Sequence, residues 1–181
     1  MTTANQVRLS EPQQATQPVK NSGFINELKH SLLTWFKTLG MSDKAPTNLP
    51  EKRLKFGGTF RIDEGIQELT LPNGYTLLSF DSTSGLQISL VNAQRRTMQM
   101  TFKESIYSLP PLHIYTMSDG GTREVCGDMQ KIFTADGYMI VLDIRGVVLV
   151  SNGADTEQFR RPYASNTAQC MNDQRLTTRV E

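Results

Sequence analysis

Four residues in the later half of the chain are of types that could do acid–base or binding chemistry. Asp143 lies in the apolar segment YMIVLDIRG, and Arg145 follows it on the same face of a predicted strand. His113 and Tyr115 share a strand face in LPPLHIY, and a histidine can act as a general base near neutral pH. These four residues are the candidate lining of a pocket, with an Asp143–Arg145 ion pair inside the core as the preferred interpretation.

The usual short motifs for phosphate, nucleophile and metal chemistry do not occur in the sequence. There is no GxxxxGK[ST], GxGxxG or GxSxG segment, and the two histidines and two cysteines lack the spacing of a zinc site. We therefore expect no metal, no cofactor and no catalytic activity. The remaining carboxylates of interest lie in predicted turns or in an acidic, solvated loop: Asp63, Glu64, Glu68, Asp119, Asp128 and Asp136.

An amphipathic helix is predicted over residues 23–40, ahead of the strands. Large apolar side chains recur at helical spacing, and the segment ends at Gly40. This apolar face could pack on the chain's own core, on a second subunit or on a membrane surface, where Trp35 and Lys37 would suit the headgroup region. The residues expected to form an oligomer or membrane interface are Ile25, Leu28, Leu32, Trp35, Phe36 and Leu39.

Positive charge is concentrated in the first third of a chain whose formal charge is only +1. Residues 1–61 hold nine Lys or Arg and four Asp or Glu. This imbalance predicts attraction to an acidic membrane surface or an acidic protein; nucleic-acid contact would be weak and non-specific, because aromatic residues do not alternate with the basic ones. The expected basic contacts are Lys29, Lys37, Lys52, Arg53 and Lys55.

The hydrophobic period changes to two from Leu54 onward, which is typical of half-buried strands. Asn73-Gly74 and Asp136-Gly137 predict hairpin turns, and LQISLV and TMQMTF alternate cleanly between apolar and polar residues. The pattern predicts a mainly β fold of seven to nine strands, an antiparallel sandwich or barrel-like core with one N-terminal helix. If the helix packs on the sheet, the fold is of the α+β class.

Composition divides the chain into five segments. We expect a flexible polar arm at 1–22, the helix at 23–40, a linker at 41–52, a β-rich core domain at 53–160 and a flexible tail at 161–181. Within the core, NGYTLLSFDSTSGLQISLVN resembles DGYMIVLDIRGVVLVSN. The favoured interpretation is that hairpins select such residues independently, and the alternative is an internal repeat.

A secretory signal and a membrane-spanning segment are not evident, which predicts an intracellular protein. The features together predict a non-catalytic structural or assembly protein that self-associates and binds other proteins through its N-terminal arm and helix. In outline this resembles a viral matrix or coat component. The alternatives are a β-barrel ligand-binding domain or small enzyme with a site near Asp143 and His113, and an adaptor that docks on a larger protein.

Overall fold

A computed structural model describes residues 22–39, 48–104, 106 and 111–163, with side chains of the helix described for residues 23–34. The predicted arm up to residue 21 and the predicted tail beyond residue 163 lie outside these ranges. Within these ranges one helix precedes twelve strands: α1 Ser22–Leu39, β1 Leu49–Arg53, β2 Thr59–Asp63, β3 Ile66–Thr70, β4 Thr76–Ser82, β5 Gly85–Val91, β6 Thr97–Phe102, β7 Leu112–Thr116, β8 Thr122–Cys126, β9 Met129–Phe133, β10 Met139–Asp143, β11 Gly146–Ser151 and β12 Thr156–Gln158.

The strands form two six-stranded antiparallel sheets, and each sheet is a meander in which neighbours in sequence pair with each other. Sheet A has the order β1-β2-β3-β4-β5-β6, and sheet B has the order β12-β11-β10-β9-β8-β7. The mainly β fold with one helix is therefore confirmed. The predicted number of strands is too low, and β1 begins at Leu49, inside the segment predicted to be a linker. Its sequence LPEKR has no apolar alternation, because all five of its residues are exposed on a sheet edge.

The core lies between the two sheets and follows the predicted alternation. Leu69, Leu77, Ile132 and Ile140 come from the central strands and are completely buried. The strands predicted to alternate also turn the expected side chains inward: Leu86, Ile88, Leu90, Met98, Met100 and Phe102. Both predicted hairpin turns are present, closed by main-chain hydrogen bonds over residues 71–75 and 134–138.

The first four strands of the two sheets, β1–β4 and β7–β10, repeat each other with an offset of 63 residues. Leu54 N–H donates to the Gly58 carbonyl in the first turn of sheet A, and Met117 N–H donates to the Gly121 carbonyl in the first turn of sheet B. Across these strands and their turns, the identical residues at this offset are Leu49 and Leu112, Gly57 and Gly120, Gly58 and Gly121, Thr59 and Thr122, Gln67 and Gln130, Gly74 and Gly137, and Tyr75 and Tyr138. The similar NGY and DGY segments thus form the fourth and fifth strands of their sheets, a common register that independent selection of hairpin residues does not explain.

Contacts between equivalent residues of the two repeats indicate that an approximate twofold axis relates the two sheets. Asn73 Nδ2 donates a hydrogen bond to Asp136 Oδ2, although these two residues occupy the same position in their respective repeats. The Phe56 ring lies 5.9 Å from the Tyr138 ring, and Tyr75 lies close to Asp119, the counterpart of Phe56. Burial, with the charges of Asp119 and Asp136, raises the pKa of the Tyr75 phenol.

The two open sides of the sandwich differ in chemistry. On one side β1 and β12 are bridged by an ion pair from Lys52 Nζ to Glu157 Oε2 at 2.8 Å, and the rings of Phe60 and Phe159 lie 4.2 Å apart. The hydrogen bond from Lys52 lowers the pKa of Glu157. The other side carries the edge strands β6 and β7, which contain no charged residue.

Candidate interaction surface

The apolar face of α1 packs on the outer face of sheet A. Ile25 and Leu32 are only 5% and 6% exposed. Leu32 contacts the buried cluster of Ile66, Leu78 and Phe80. The predicted oligomer or membrane interface is therefore wrong for Leu32, which the chain's own sheet covers, while Leu28 is partly buried against the same cluster and Ile25 is buried. The side chains of Trp35, Phe36, Leu39 and Lys37 lie outside the described residues, so for them the interface stays a prediction.

A partly buried charge network fixes the same helix to the sheet. Lys29 Nζ lies 3.2 Å from Asp63 Oδ2 and 3.1 Å from Glu68 Oε2. Arg61 Nη2 lies 2.8 Å from the same Glu68 oxygen, and this hydrogen bond raises the pKa of Arg61. Lys29 is thus a buried structural cation, and the prediction that it is a surface contact is wrong. Asp63 and Glu68 likewise belong to this network instead of a solvated loop.

The other described basic residues have ordinary surface positions. Lys52 is half exposed and paired with Glu157. Arg53 and Lys55 are exposed beside it. They remain accessible to an acidic partner, but no described groove gathers them into a site.

We expect Leu32→Ala to lower the stability of the folded chain because it removes helix-to-sheet packing. Loss of this buried side chain should cost about 2 kcal/mol of unfolding free energy, near the lower end for a core leucine. Denaturant unfolding followed by circular dichroism would measure it. Thr34→Ala, at an exposed position two residues further along α1, is the control, and equal stability of both variants would contradict the packing.

Asp143 is a buried carboxylate that accepts four hydrogen bonds. Its side chain is fully buried, and Arg160 binds both of its carboxylate oxygens, with Nη1 2.7 Å from Oδ2. The main-chain N–H groups of Arg145 and Tyr163 each donate to it at 2.7 Å. Four donors leave this carboxylate no free lone pair of the kind that a catalytic acid or base would use.

The predicted Asp143–Arg145 ion pair is wrong in its partner. Arg160, 17 residues away, supplies the guanidinium, and its Nη2 also donates to the Gly146 carbonyl at 2.9 Å. The Arg145 guanidinium instead lies 4.6 Å from the centre of the Tyr163 ring. The alternation of a strand predicts which side chains share a face. It cannot predict that the segment after β12 lies over Asp143 and places the Arg160 guanidinium beside it, where it binds both carboxylate oxygens.

The four candidate pocket residues do not come together. Asp143 and Arg145 lie at the β10–β11 turn, whereas His113 and Tyr115 lie on the edge strand β7, with their rings 6.4 Å apart. A cavity of about 230 Å³ lies between α1 and sheet A, and one of about 320 Å³ lies between β1 and β12. Neither is lined by any of the four. Within the described ranges no three His, Cys, Asp or Glu side chains are grouped as metal ligands.

The edge strand β7 is the most exposed apolar element of the described fold. Leu112, Ile114 and Tyr115 are 42%, 60% and 50% exposed, and Ile106 in the preceding segment is 90% exposed. The Arg123 guanidinium lies 5.5 Å from the centre of the Tyr115 ring. Sequence reasoning had marked His113 and Tyr115 as pocket residues and passed over Leu112 and Ile114, because edge strands usually carry charges and an uncharged strand sequence does not mark an edge.

Two further findings concern the covalent state and the helix. Cys126, at the end of β8, is disulfide-bonded, whereas Cys170 lies outside the described residues.

No helix in the part of the chain that the structure describes has the combination of length and apolar character needed to cross a bilayer.

Comparison with known proteins found no matching family model, no similar curated protein and no similar solved structure.

Proposed function

We propose that this chain is a non-catalytic structural or assembly protein, of the matrix or coat type, that self-associates and binds other proteins. One observation carries the proposal: among the residues that the structure describes, four of the five exposed large apolar side chains lie between residues 106 and 115. A concentrated apolar patch on a folded domain marks a contact surface more often than a catalytic site.

The buried charges support the same proposal. Asp143, Glu68 and Glu157 each have a basic partner within the fold. Such pairs hold elements together: α1 to sheet A, β1 to β12, and the segment after β12 to the β10–β11 turn. The sequence-based proposal named the N-terminal arm and helix as the assembly device. Because α1 is docked on sheet A, we propose instead that the surface that carries β7 has this role.

An intracellular location is part of the proposal, and the disulfide at Cys126 bears on it. Disulfides are rare in proteins kept in a reducing cytosol and common in oxidising compartments. Measuring whether Cys126 is reduced or disulfide-bonded in the cell would therefore distinguish a reducing cytosol from an oxidising compartment more directly than any feature of composition.

We expect the molar mass of the full chain, measured by light scattering after size-exclusion chromatography, to rise with protein concentration. Because the patch is apolar, the mass should change little between low and high salt. The rise of molar mass with concentration should also persist after removal of residues 1–21, which leaves α1 in place. A monomer at every concentration would overturn the proposal, and a salt-sensitive oligomer lost on this truncation would return the role to the arm.

A further inference from the structure

The two repeats differ at one pair of equivalent edge strands. The strand β1 reads LPEKR and β7 reads LHIYT, with an offset of 63 residues. Glu51 and Lys52 of β1 therefore correspond to Ile114 and Tyr115 of β7. Charges and proline on an edge strand prevent another strand from adding to it. The first repeat has this protection, and the second lacks it at the same position.

The turn after β7 determines which of its backbone groups face outward. Met117 N–H donates to the Gly121 carbonyl across the hairpin, so residues 113 and 115, which share its parity, direct their backbone groups toward β8. The N–H and C=O groups of Leu112, Ile114 and Thr116 consequently point away from β8. Among the described residues, β8 is the one strand that pairs with β7.

We propose that β7 pairs antiparallel with β7 of a second copy of this chain, centred on Ile114. This inference rests on the proposed self-association and names its surface. Ile114 would lie opposite Ile114 of the second copy, and Leu112 opposite Thr116, so that the outward backbone groups of both strands are satisfied. Two copies of sheet B then form one continuous sheet.

A second copy fits this edge better than a charged strand of another protein. The strand β7 has no Asp, Glu, Lys or Arg, so it offers no charge complement by which a charged partner could be selected. Its own sequence in the antiparallel register opposes an isoleucine to an isoleucine and a leucine to a threonine. These apolar and β-branched pairs are the ones that stabilise neighbouring strands.

The test is Ile114→Lys in the full chain, with self-association followed by sedimentation equilibrium. The twofold register places two lysines opposite each other, and we expect the dimer dissociation constant to rise roughly tenfold or more. The fold should tolerate this lysine, since Ile114 is 60% exposed and its neighbour across the hairpin is Glu124. Leu49→Lys, at the equivalent edge on β1 and 47% exposed, is the matched control and should leave association unchanged.

Mixing two charge variants tests the register itself. Ile114→Lys and Ile114→Glu chains should each associate more weakly than the wild type when alone and should form a heterodimer when mixed, because the twofold contact places residue 114 opposite itself. If Ile114→Lys abolishes association but the mixture does not restore it, the centred register is overturned. If the wild type and Ile114→Lys associate equally, the edge is not the interface, while the proposed function survives. A monomeric wild type overturns both.

Discussion

Asp143→Ala should destabilise the folded chain by about 3–5 kcal/mol, the usual cost of removing one partner from a buried ion pair. The substitution leaves the Arg160 guanidinium, whose side chain is 27% exposed, without its carboxylate, and it removes the acceptor of the Arg145 and Tyr163 N–H groups. Equilibrium unfolding in urea, read by tryptophan fluorescence and circular dichroism, measures the loss.

The control for this effect is Asp81→Ala, because Asp81 is an exposed carboxylate on β4 and its removal should change stability by less than about 0.5 kcal/mol. Arg160→Met combined with Asp143→Ala should recover part of the lost stability, since no unpaired guanidinium remains. A variant with Asp143→Ala that unfolds at the wild-type urea concentration would contradict the structural role. Such a result would reopen the alternative that Asp143 belongs to a catalytic or ligand site.

Gly58→Ala should lower stability by about 3–4 kcal/mol, through backbone strain and overlap acting together. Gly58 has a φ of +85°, and a Cβ there would overlap the Thr70 carbonyl oxygen on the neighbouring strand. Main chain cannot move aside as a flexible side chain can. The measurement is the midpoint and slope of denaturant unfolding.

Two other glycines separate the two causes. Gly137 has a φ of +94° with open space around it, so Gly137→Ala reports strain alone, at about 1–2 kcal/mol. Gly121, the counterpart of Gly58, lacks the positive φ, but a Cβ there would lie 2.5 Å from the Phe133 carbonyl oxygen. We expect Gly121→Ala to fall between the other two variants. Equal losses of unfolding free energy for Gly58→Ala and Gly137→Ala would show that overlap with the Thr70 carbonyl oxygen adds nothing to the cost of the backbone strain.

Features that depend on local sequence were predictable. The alternation of LQISLV and TMQMTF identified their inward side chains, because successive side chains of a strand point to opposite faces of the sheet. The dipeptides Asn73-Gly74 and Asp136-Gly137 identified turns, because few residues adopt the required backbone angles. The apolar face of α1 was also recognised, but an apolar helix face predicts only that the face is buried and does not identify the surface that covers it.

Features that depend on distant residues were not predictable from pattern. Lys29 seemed to belong to a solvated face because its partners, Asp63 and Glu68, are more than thirty residues away. Asp143 was paired with its neighbour in the sequence because nothing there places Arg160 beside it. The exposed strand β7 escaped notice for a related reason: strand order alone reveals which strands are left at an edge.

The meander order of both sheets has a consequence for how this chain reaches its native state. Every strand pairs with strands next to it in sequence, so hairpins can close one after another over short loops. Proteins rich in such local contacts fold faster than sandwiches built from long crossovers. The docking of one sheet on the other, where Gln67 of β3 accepts a hydrogen bond from the Val147 N–H at 2.8 Å, is the step that must wait for a large loop to close.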